Sequence, residues 1–176
     1  QAGEDVLVAQ TGTKLANLGK VVIDTKTGEI TSELVAAKDC AAEDEATGAF
    51  VKGINDEFAG VLKKVVAKTD VDLTTKDPAT GKRAVRSAET NLGDLCADAY
   101  RVMLDADVAF VNGGGVRADI PAGEITYEQI INVHPFGNEA CVVETTGQDI
   151  LDALEMGARV TPEENGGFLQ VSGLTY

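Results

Sequence analysis

The sequence predicts an α/β (mixed α+β) fold, a layered mixed sheet with flanking helices, from three observations. The second half of the chain alternates helical and strand-like patterns in the order helix, strand, helix, strand, helix, which is typical of a layered arrangement and differs from a helix bundle. Apolar residues make up 44% of the chain, which is enough for a packed core. The length of 176 residues corresponds to one ordinary domain, or to one domain with a piece of another.

The first third of the chain contains a predicted β-hairpin and a predicted helix. Two short strand-like runs in VVIDTKTGEITSELV, residues 21–35, surround a turn in which Gly28 can take a positive φ. An acidic, alanine-rich stretch follows at residues 36–48, and we interpret it as a linker at a domain boundary. From Phe50 onward, apolar residues recur with the spacing of one helical face, which predicts a helix that ends near Lys68.

A surface turn, a helix and a strand are predicted in the middle of the chain. TKDPATGK, residues 75–82, has the Pro, Gly and Asp content of a turn. A helix follows, with Thr90 or Asn91 as its N-cap. A short buried strand, ADVAFV, then leads into Asn112. The apolar stripe predicted for this helix comprises Leu92, Leu95, Cys96, Ala99 and Met103.

The last third of the chain is predicted to hold a short helix, a strand and another helix. Thr126 and Gln129 have the spacing of a capping box, which predicts that a helix begins there. The sequence EACVVET, residues 139–145, predicts a strand, and a further helix follows it. The side chains of this last helix that are predicted to face inward are Ile150, Leu151 and Leu154.

The charge balance excludes two classes of partner. The chain has 15 basic and 29 acidic residues, and its formal net charge is −14. A nucleic-acid binder needs a basic stripe that displaces counterions from phosphates, and a membrane surface of the polybasic kind needs a similar cluster. No apolar run approaches the ~18 to 20 residues needed to cross a bilayer. We therefore expect neither nucleic-acid binding nor membrane insertion, and a phosphate ligand would depend on a few local cations.

The cysteines and the single histidine give no metal or redox signature. Cys40, Cys96 and Cys141 are an odd and widely spaced set that fits neither a disulfide framework nor a zinc site, so buried free thiols are expected. His134 is the only histidine, and it lies in no H-x-H or H-E-x-x-H motif. We interpret it as a loop residue without a special role, and we predict neither metal ligands nor catalytic residues in this chain.

The stretch VNGGGVR at residues 111–117 is the first candidate for ligand binding. Glycine permits positive φ and lacks the Cβ that would keep a ligand from the backbone, and consecutive N–H groups can form an anion-binding concavity. Arg117 adds a planar fork that suits phosphate or carboxylate. The alternative is a flexible turn with a surface arginine, and for the tripeptide alone that alternative is favoured.

Two further residues are candidates only in combination with this loop. Phe136 lies between Pro135 and Gly137, where the backbone can present the ring as a platform for a flat heterocycle. Arg86 lies just before a predicted helix start, close to N–H groups that attract anions. Taken alone, a loop aromatic packed into the core and a solvated charge are the favoured interpretations.

Together these motifs resemble the C-terminal domain of the 5′-nucleotidase family, which includes bacterial UDP-sugar hydrolases, cyclic-nucleotide phosphodiesterases and animal ecto-5′-nucleotidases. The resemblance is carried by VRSAETNLGDLCADAYR, then ADVAFVNGGGVRADIPAGEITYEQIINVHPFGNEACVVETTGQDI, then GGFLQVSG, from about residue 85 to the end of the chain. Several short motifs in register are far more specific than any one of them. The resemblance implies the fold of that C-terminal domain.

The beginning of the chain resembles another part of the same family. VLVAQTGTKLANLGKVVIDTKTG is similar to the closing strands of the N-terminal metallophosphoesterase domain. The resemblance implies closing strands of that domain at residues 1–35, a linker at 36–48 and a substrate-binding domain, incomplete at its C-terminus, at 49–176. We therefore expect a fragment cut at both ends, or one piece of a nicked protein.

The resemblance also implies the substrate-binding residues. Phe136 matches the aromatic side chain that stacks on the nucleobase, and Asn112 with residues 113–115 matches the loop that lies against base and ribose. Arg86 and Arg117 match two arginines that hold phosphate. The full set implied for this chain is Arg86, Asn112, Gly113, Gly114, Gly115, Arg117, Phe136, Gly137 and Asn138.

The activity implied is that of a metal-dependent 5′-nucleotidase or UDP-sugar hydrolase, which releases phosphate from nucleoside 5′-phosphates in nucleotide catabolism and salvage. A pair of divalent ions, Zn²⁺ or Mn²⁺, would lie in the missing N-terminal domain, so the fragment alone should bind no cofactor and be inactive. Its expected partners are a nucleotide and the missing parts of its own chain, at an extracellular, cell-surface or periplasmic location. Two alternatives stay open: a 2′,3′-cyclic-nucleotide phosphodiesterase or 3′-nucleotidase of the same superfamily, and a non-catalytic nucleotide-binding surface module.

Overall fold

A computed structural model describes residues 6–40 and 42–176 of the chain. The chain divides into two compact units, Gln1–Glu57 and Phe58–Tyr176. In chain order the elements are β1 (Asn17–Ile23), β2 (Ile30–Ala36), a 3₁₀ helix (Ala37–Asp39), α1 (Glu45–Leu62), β3 (Val65–Thr69), α2 (Asn91–Met103), β4 (Ala109–Asn112), a 3₁₀ helix (Gly113–Gly115), β5 (Gly123–Thr126), α3 (Tyr127–Val133), α4 (Gly147–Ala158) and β6 (Leu169–Ser172). Helices and strands are interspersed along the chain, which confirms the predicted α/β class, and the described strands form three two-stranded antiparallel sheets where the sequence predicted one layered mixed sheet.

The first unit is built on the predicted hairpin. Strands β1 and β2 pair antiparallel over seven residues, from Asn17 opposite Ala36 to Ile23 opposite Ile30. At the turn, the Gly28 N–H donates to the carbonyl of Asp24 at 2.8 Å, and Gly28 has a φ of 76°. The hairpin prediction is confirmed, because the one residue whose backbone must be left-handed in this turn lacks a Cβ.

Helix α1 ends earlier than the sequence predicted. It begins after Asp44, whose carboxylate accepts the Thr47 N–H at 2.7 Å, and it ends at Leu62. The expected continuation to Lys68 is wrong, since Val65–Thr69 form strand β3, paired antiparallel with β5. The spacing of a short apolar run fits either element, and β-branched residues at its start favour the strand when a partner strand is available.

The second unit has a core between helix α2 and two antiparallel strand pairs. Strand β3 pairs with β5, strand β4 pairs with β6, and α2 packs against β4 and β6. The predicted cap of α2 is Thr90, whose hydroxyl accepts the Gly93 N–H at 3.2 Å. The buried core comprises Leu73, Val85, Leu92, Cys96, Ala97, Val111, Val116, Ile120, Ile125 and Val133.

The apolar stripes of α2 and α4 are only partly buried. In α2, Leu92 and Cys96 are buried as predicted, but Leu95 and Met103 are exposed. In α4, Leu154 is buried while Leu151 is half-exposed. Periodicity identifies the apolar face of a helix, but the width of the partner surface decides how much of that face is covered.

Local turn and cap chemistry is confirmed elsewhere in this unit. The Gly81 N–H donates to the carbonyl of Asp77 at 2.8 Å, so the predicted turn at residues 75–82 is present. Thr126 and Gln129 form the predicted capping box of α3 through reciprocal side-chain hydrogen bonds. Thr146 caps α4 in the same manner.

The strand predicted at residues 139–145 is absent from the described ladders. This segment is not assigned to any strand, and the side chains of Val142 and Val143 are exposed. An extended apolar run becomes a strand only when another strand accepts and donates its backbone hydrogen bonds. Within the described residues no such partner pairs with this segment.

The cysteine prediction holds for one residue of three. Cys96 is buried in the core, and burial raises the pKa of its thiol to about 12. Cys40 and Cys141 are exposed free thiols, which corrects the expectation that all three are buried. Cys96 therefore behaves as a small apolar core residue. Among the described helices, none has the length and hydropathy that a membrane span requires.

Candidate functional site

The glycine loop follows strand β4 directly. Asn112 ends the strand, and Gly113–Gly115 form a single 3₁₀ turn. The Gly113 N–H donates to the carbonyl of Phe168 at 2.7 Å, and the Gly114 N–H donates to that of Gly166 at 2.9 Å. These two N–H groups are satisfied within the protein, which corrects the expectation that the run of glycines offers its amides to an anion.

The glycines are required by the protein's own backbone. A Cβ added at Gly113 would overlap the carbonyl oxygen of Val85, and one added at Gly114 would lie 2.9 Å from the carbonyl oxygen of Gly166. Real Cβ atoms do not make such contacts without displacement of the neighbour. The close approach that we expected of a ligand at Gly113 and Gly114 is therefore made by other segments of the chain.

Asn112 supports the loop from its own side chain. Its amide nitrogen donates to the carbonyl of Gly166 at 3.1 Å, next to the Gly114–Gly166 hydrogen bond. The side-chain oxygen would lie 3.1 Å from a Cβ at Gly115. Asn112 thus connects the 3₁₀ turn to Gly166 and packs against Gly115, the last glycine of the turn. Asn112 remains exposed beside the loop.

Arg117 and Phe136 lie next to each other beside the glycine loop. The guanidinium carbon of Arg117 is 5.6 Å from the centroid of the Phe136 ring, and its Nη1 donates to the carbonyl of Gly114 at 3.3 Å. The Arg117 N–H also donates to the carbonyl of Val133 at 3.0 Å, which fixes the loop to the end of α3. Phe136 is 59% exposed, so the core packing that we favoured for this residue taken alone is not what the structure has.

Arg86 is the half-buried cation of the site. Its Nε is buried and makes no hydrogen bond with any described residue. Burial lowers the pKa of its guanidinium, and the positive charges of Arg83 and Arg117 lower it further, while Glu164 acts in the opposite direction. An unpaired buried donor costs about 1–3 kcal/mol, and more when it is charged. An anion placed here would relieve both the missing hydrogen bond and the repulsion.

Arg83 is a third cation that the sequence analysis missed. Its Nε donates to Glu164 Oε1 at 2.7 Å, and its Nη2 forms a second contact with the other oxygen of that carboxylate. This ion pair lowers the pKa of Glu164 and raises that of Arg83. The sequence GKRAVR shows a second arginine three residues before Arg86, but nothing in it indicates the distant glutamate.

His134 packs behind the loop. It ends helix α3, its ring lies 5.8 Å from that of Tyr100, and its Nε2 is buried without a hydrogen-bond partner among the described residues. Burial lowers the pKa of His134, and a backbone hydrogen bond with Gly115 acts in the opposite direction. The residue therefore has a packing role next to the site, which its position in HPFGN did not indicate.

The remaining predicted site residues, Gly137 and Asn138, directly follow Phe136 in the chain. Gly137 has a φ of 62°, which a residue with a Cβ adopts only with strain, and Asn138 follows it on an exposed segment. The structure thus brings Arg86 and Arg117 into electrostatic contact and sets Phe136 beside Arg117. The whole forms a basic, aromatic-edged surface on an otherwise acidic protein.

Comparison with known proteins identifies the family to which this chain is similar. The model of the 5′-nucleotidase C-terminal domain family matches residues 65–176, which is more than half of the chain and includes every residue of the candidate site. The chain belongs to the 5′-nucleotidase family. The resemblance drawn from the sequence motifs is confirmed.

Several relatives of this 5′-nucleotidase family chain carry names that describe phosphoesterases. It is 38% identical over 125 residues to the trifunctional nucleotide phosphoesterase protein YfkN of Bacillus subtilis, covering 69% of this chain and 8% of that protein. It is 34% identical over 145 residues to the 5′-nucleotidase of Vibrio parahaemolyticus, covering 82% of this chain and 25% of that protein. The chain therefore spans a quarter or less of the length of these relatives.

A solved structure of a 5′-nucleotidase precursor has the same fold. The protein is from Thermus thermophilus, the TM-score is 0.64 and the sequence identity is 34%. The match covers 89% of this chain and 31% of that chain. The fold expected from the resemblance is thereby confirmed as that of the family.

The described residues of this 5′-nucleotidase family chain do not fit a metal centre. Within residues 6–40 and 42–176, no group of three or more His, Cys, Asp or Glu side chains could hold a metal ion. A catalytic zinc ion takes three such ligands from the protein, and the described residues offer no such set. We therefore assign no metal-dependent step to them.

Proposed function

We propose that the chain is the substrate-binding domain of a 5′-nucleotidase and that it holds nucleoside 5′-phosphates at the basic, aromatic-edged surface. The observation that carries this proposal is the buried, unpartnered Nε of Arg86 in the field of two other arginines. A protein retains such an arrangement at a cost in stability, and an anion that binds there reduces the cost. The formal net charge of −14 means that this attraction is local.

In this proposal the phosphate is held by two arginines of different character. Arg86 is half-buried, its Nε is shielded from solvent and two other cations lie near it, so its interaction with an anion is less screened than that of a fully exposed side chain. Arg117 is exposed and supplies a second planar fork from the loop whose Gly113 packs against Val85. Phosphate between them neutralises part of the repulsion that lowers the pKa of Arg86.

The nucleobase is proposed to stack on Phe136. Its ring is exposed, and the Arg117 guanidinium lies near it, so one end of a ligand can meet a π-face while the other meets a cation. Stacking of a base on an aromatic side chain contributes about 1–3 kcal/mol and is tolerant of base identity. Base and phosphate recognition would therefore come from separate residues.

The contribution of this chain to hydrolysis would be binding and orientation. Breaking the phosphate ester requires attack of water on phosphorus, and in this family we propose that a pair of divalent ions, of Zn²⁺ or Mn²⁺ type, supplies that chemistry from a part of the protein outside this chain. Arg86 and Arg117 would hold the phosphoryl group and offset its negative charge. The isolated chain would bind nucleotide and release no phosphate.

One relative favours a second candidate substrate class. The name of YfkN describes a trifunctional nucleotide phosphoesterase, and that protein is 38% identical to this chain. We therefore keep 2′,3′-cyclic nucleotides and nucleoside 3′-phosphates as alternative substrates of the complete protein. A non-catalytic nucleotide-binding surface module is the alternative if the complete protein hydrolyses none of them.

We further propose an extracellular, cell-surface or periplasmic location. A relative that is 33% identical over 139 residues is named cell wall protein Lmo0130 of Listeria monocytogenes. Nucleotide hydrolysis in that compartment would serve nucleotide salvage. The location would be tested by fractionating cells and probing each fraction with an antibody against this chain.

The experiment that tests the function measures phosphate release by the complete gene product with Mn²⁺ or Zn²⁺. The substrates are 5′-AMP, 3′-AMP, 2′,3′-cyclic AMP and UDP-glucose. Rapid release from 5′-AMP or UDP-glucose that is lost in Arg86→Ala and Arg117→Ala supports the proposal. Release only from 3′-AMP or the cyclic nucleotide supports the second candidate, and nucleotide binding without release supports the binding module.

A further inference from the structure

The side chain of Gln170 is the most deeply buried polar group of the second unit. It lies in strand β6, opposite Val111 of β4, and only 2% of the residue is exposed. Its amide points toward residues 85–90, the segment that carries Arg86 and leads into α2. A buried amide must satisfy two donors and an acceptor, or lose stability.

Every hydrogen-bonding group of this amide is satisfied by that segment. The Nε2 donates to the carbonyl of Val85 at 3.0 Å and to that of Ala88 at 2.8 Å. The Oε1 accepts the Thr90 N–H at 3.0 Å. Residues 85–90 have no regular secondary structure, and this one side chain satisfies three of their backbone hydrogen-bonding groups, as a neighbouring strand would.

Arg86 lies between the two carbonyl groups that Gln170 holds. Its own carbonyl accepts the Asn165 N–H at 2.9 Å. The backbone on both sides of Arg86 is therefore fixed by Gln170, and Asn165 fixes the residue itself. The guanidinium Nε, in contrast, has no partner among the described residues. A fixed main chain combined with an unpartnered side-chain donor is the arrangement expected of a residue that is positioned to bind a ligand.

The same contacts set the distance between Arg86 and the glycine loop. The Val85 carbonyl that accepts from Gln170 is also the atom against which Gly113 packs. A shift of Val85 would therefore move Arg86 relative to the loop that carries Arg117. Binding of one phosphate by two arginines depends on that separation, because misplacement of about 1 Å weakens such contacts strongly.

Gly93 makes room for the Gln170 amide. A Cβ at Gly93 would overlap the Oε1 and the side-chain carbons of Gln170. Gly93 lies in the first turn of α2, where glycine is unfavourable compared with alanine. The packing of the amide explains why this position lacks a side chain.

We infer that Gln170 is a positioning residue for phosphate recognition, which acts through the backbone of Arg86 and does not touch the substrate. This inference rests on the proposed function for its ligand, a nucleoside 5′-phosphate. Among the described residues, the hydrogen bonds of the Gln170 side chain go to Val85, Ala88 and Thr90, so this side chain has no role in recognition of the base. Loss of its amide should therefore weaken binding of phosphate selectively.

The test compares Gln170→Met with Thr90→Ala in the complete gene product. Methionine has a similar length and can donate no hydrogen bond to Val85 or Ala88. Thr90→Ala removes the cap of α2 and the Thr90 hydroxyl contact with Gln170, but it leaves both donor contacts. Dissociation constants for AMP and adenosine are measured by isothermal titration calorimetry for each variant.

We expect Gln170→Met to weaken AMP binding about tenfold or more and adenosine binding less than about twofold. Thr90→Ala should change both constants by less than about twofold. Gly93→Ala, which displaces the unchanged amide, should reproduce the selective loss of AMP. Equal losses for AMP and adenosine in Gln170→Met, or the same selective loss in Thr90→Ala, would overturn the inference.

A readout without ligand separates this inference from the proposed function. Hydrogen exchange of the Asn165 amide, which donates to the Arg86 carbonyl, should accelerate in Gln170→Met and stay unchanged in Thr90→Ala. If the wild-type protein binds neither AMP nor adenosine, the proposed function is wrong, and unchanged exchange in Gln170→Met would independently refute the role of Gln170. If Gln170→Met does not fold, Gln170→Leu, which also brings no charge and no donor for Val85 or Ala88, takes its place with the same expectation.

Discussion

The guanidinium carbon of Arg117 lies 5.6 Å from the centroid of the Phe136 ring, so a cation and an exposed aromatic ring form one continuous surface. The two residues follow different elements, since Arg117 comes after the 3₁₀ turn and Phe136 comes after α3. The hydrogen bond from the Arg117 N–H to the Val133 carbonyl joins the loop of Arg117 to the end of α3, three residues before Phe136. A ligand with a flat ring and a charged end would meet both side chains at once.

Arg117→Ala should weaken AMP binding much more than adenosine binding. The variant removes a charge-assisted contact, which corresponds to a loss of about tenfold to a hundredfold for AMP. Adenosine lacks the phosphate, so its affinity should change by less than about threefold, reflecting the lost contact with Phe136. Arg159→Ala is the matched control, because Arg159 is also exposed and donates to a carbonyl, that of Met156. Equal losses for both ligands would remove Arg117 from the phosphate site.

Phe136→Ala should weaken binding of AMP, GMP and UMP to a similar degree. Every base has a π-face, and stacking contributes about 1–3 kcal/mol. The ring is exposed, so thermal unfolding should be nearly unchanged. Phe50→Ala, an exposed phenylalanine in α1, is the control for an effect of losing any surface ring. A loss confined to one nucleotide would mean that Phe136 reads base identity and is not a general stacking surface.

Gly113→Ala should destabilise the second unit even without ligand. The added methyl group overlaps the Val85 carbonyl oxygen, and overpacking of this kind costs about 1–3 kcal/mol. At Gly147, in contrast, no atom lies within 4 Å of an added Cβ, so Gly147→Ala should change stability by less than about 0.5 kcal/mol. Urea denaturation of both variants measures the difference. Equal stability of the two variants would show that Gly113 is retained for another reason.

Asp94→Asn should stabilise the protein at pH 7 to 8 and have little effect near pH 4. Burial, followed by the nearby charge of Glu89, raises the pKa of Asp94 to about 6 from an ordinary value near 3.8. A carboxyl group with a raised folded-state pKa contributes stability below its unfolded-state pKa and loses it as pH rises through the folded-state pKa. Asparagine does not ionise, so the gain should develop between about pH 4 and 6 and reach about 1 kcal/mol after solvent screening.

Urea denaturation at several pH values measures this dependence for Asp94→Asn and the wild type. Glu155→Gln, at an exposed carboxylate of helix α4, is the control for the loss of one negative charge. The difference in the free energy of unfolding between Asp94→Asn and the wild type should increase with pH. A difference that is constant from pH 4 to 8 would mean that Asp94 titrates normally in the folded protein.

Local features of this fold follow from the sequence because their determinants lie within a few residues of one another. Gly28 fixes the hairpin turn, Thr90 caps α2, and Thr126 with Gln129 caps α3, all as predicted. The motifs around Arg117 and Phe136 also identified these two residues as candidates, and the structure sets them side by side. In all these cases the residues that determine the feature are close together in the sequence.

Elements that depend on a distant partner were predicted less well. The apolar run at residues 65–69 pairs with β5 and becomes a strand, while the equally apolar run at 139–145 finds no partner strand within the described residues. In the site, the sequence indicated Arg86 but did not indicate the ion pair of Arg83 with Glu164. These two residues are 81 positions apart in the sequence. Hydrophobic patterning carries no information on which segment will lie alongside.

By itself, the sequence determined the α/β class, the family, the turns and caps, and the cations and ring that could meet a nucleotide. Only the tertiary structure decided why the glycines are there, since Gly113 and Gly114 admit Val85 and Gly166 of the protein itself. It also decided that the Nε of Arg86 is buried without a hydrogen-bond partner among the described residues and that Gln170 holds the backbone around this arginine. The physical reason is that close packing and the pairing of buried polar groups join residues that are remote in the chain, whereas capping and turn formation act between neighbours.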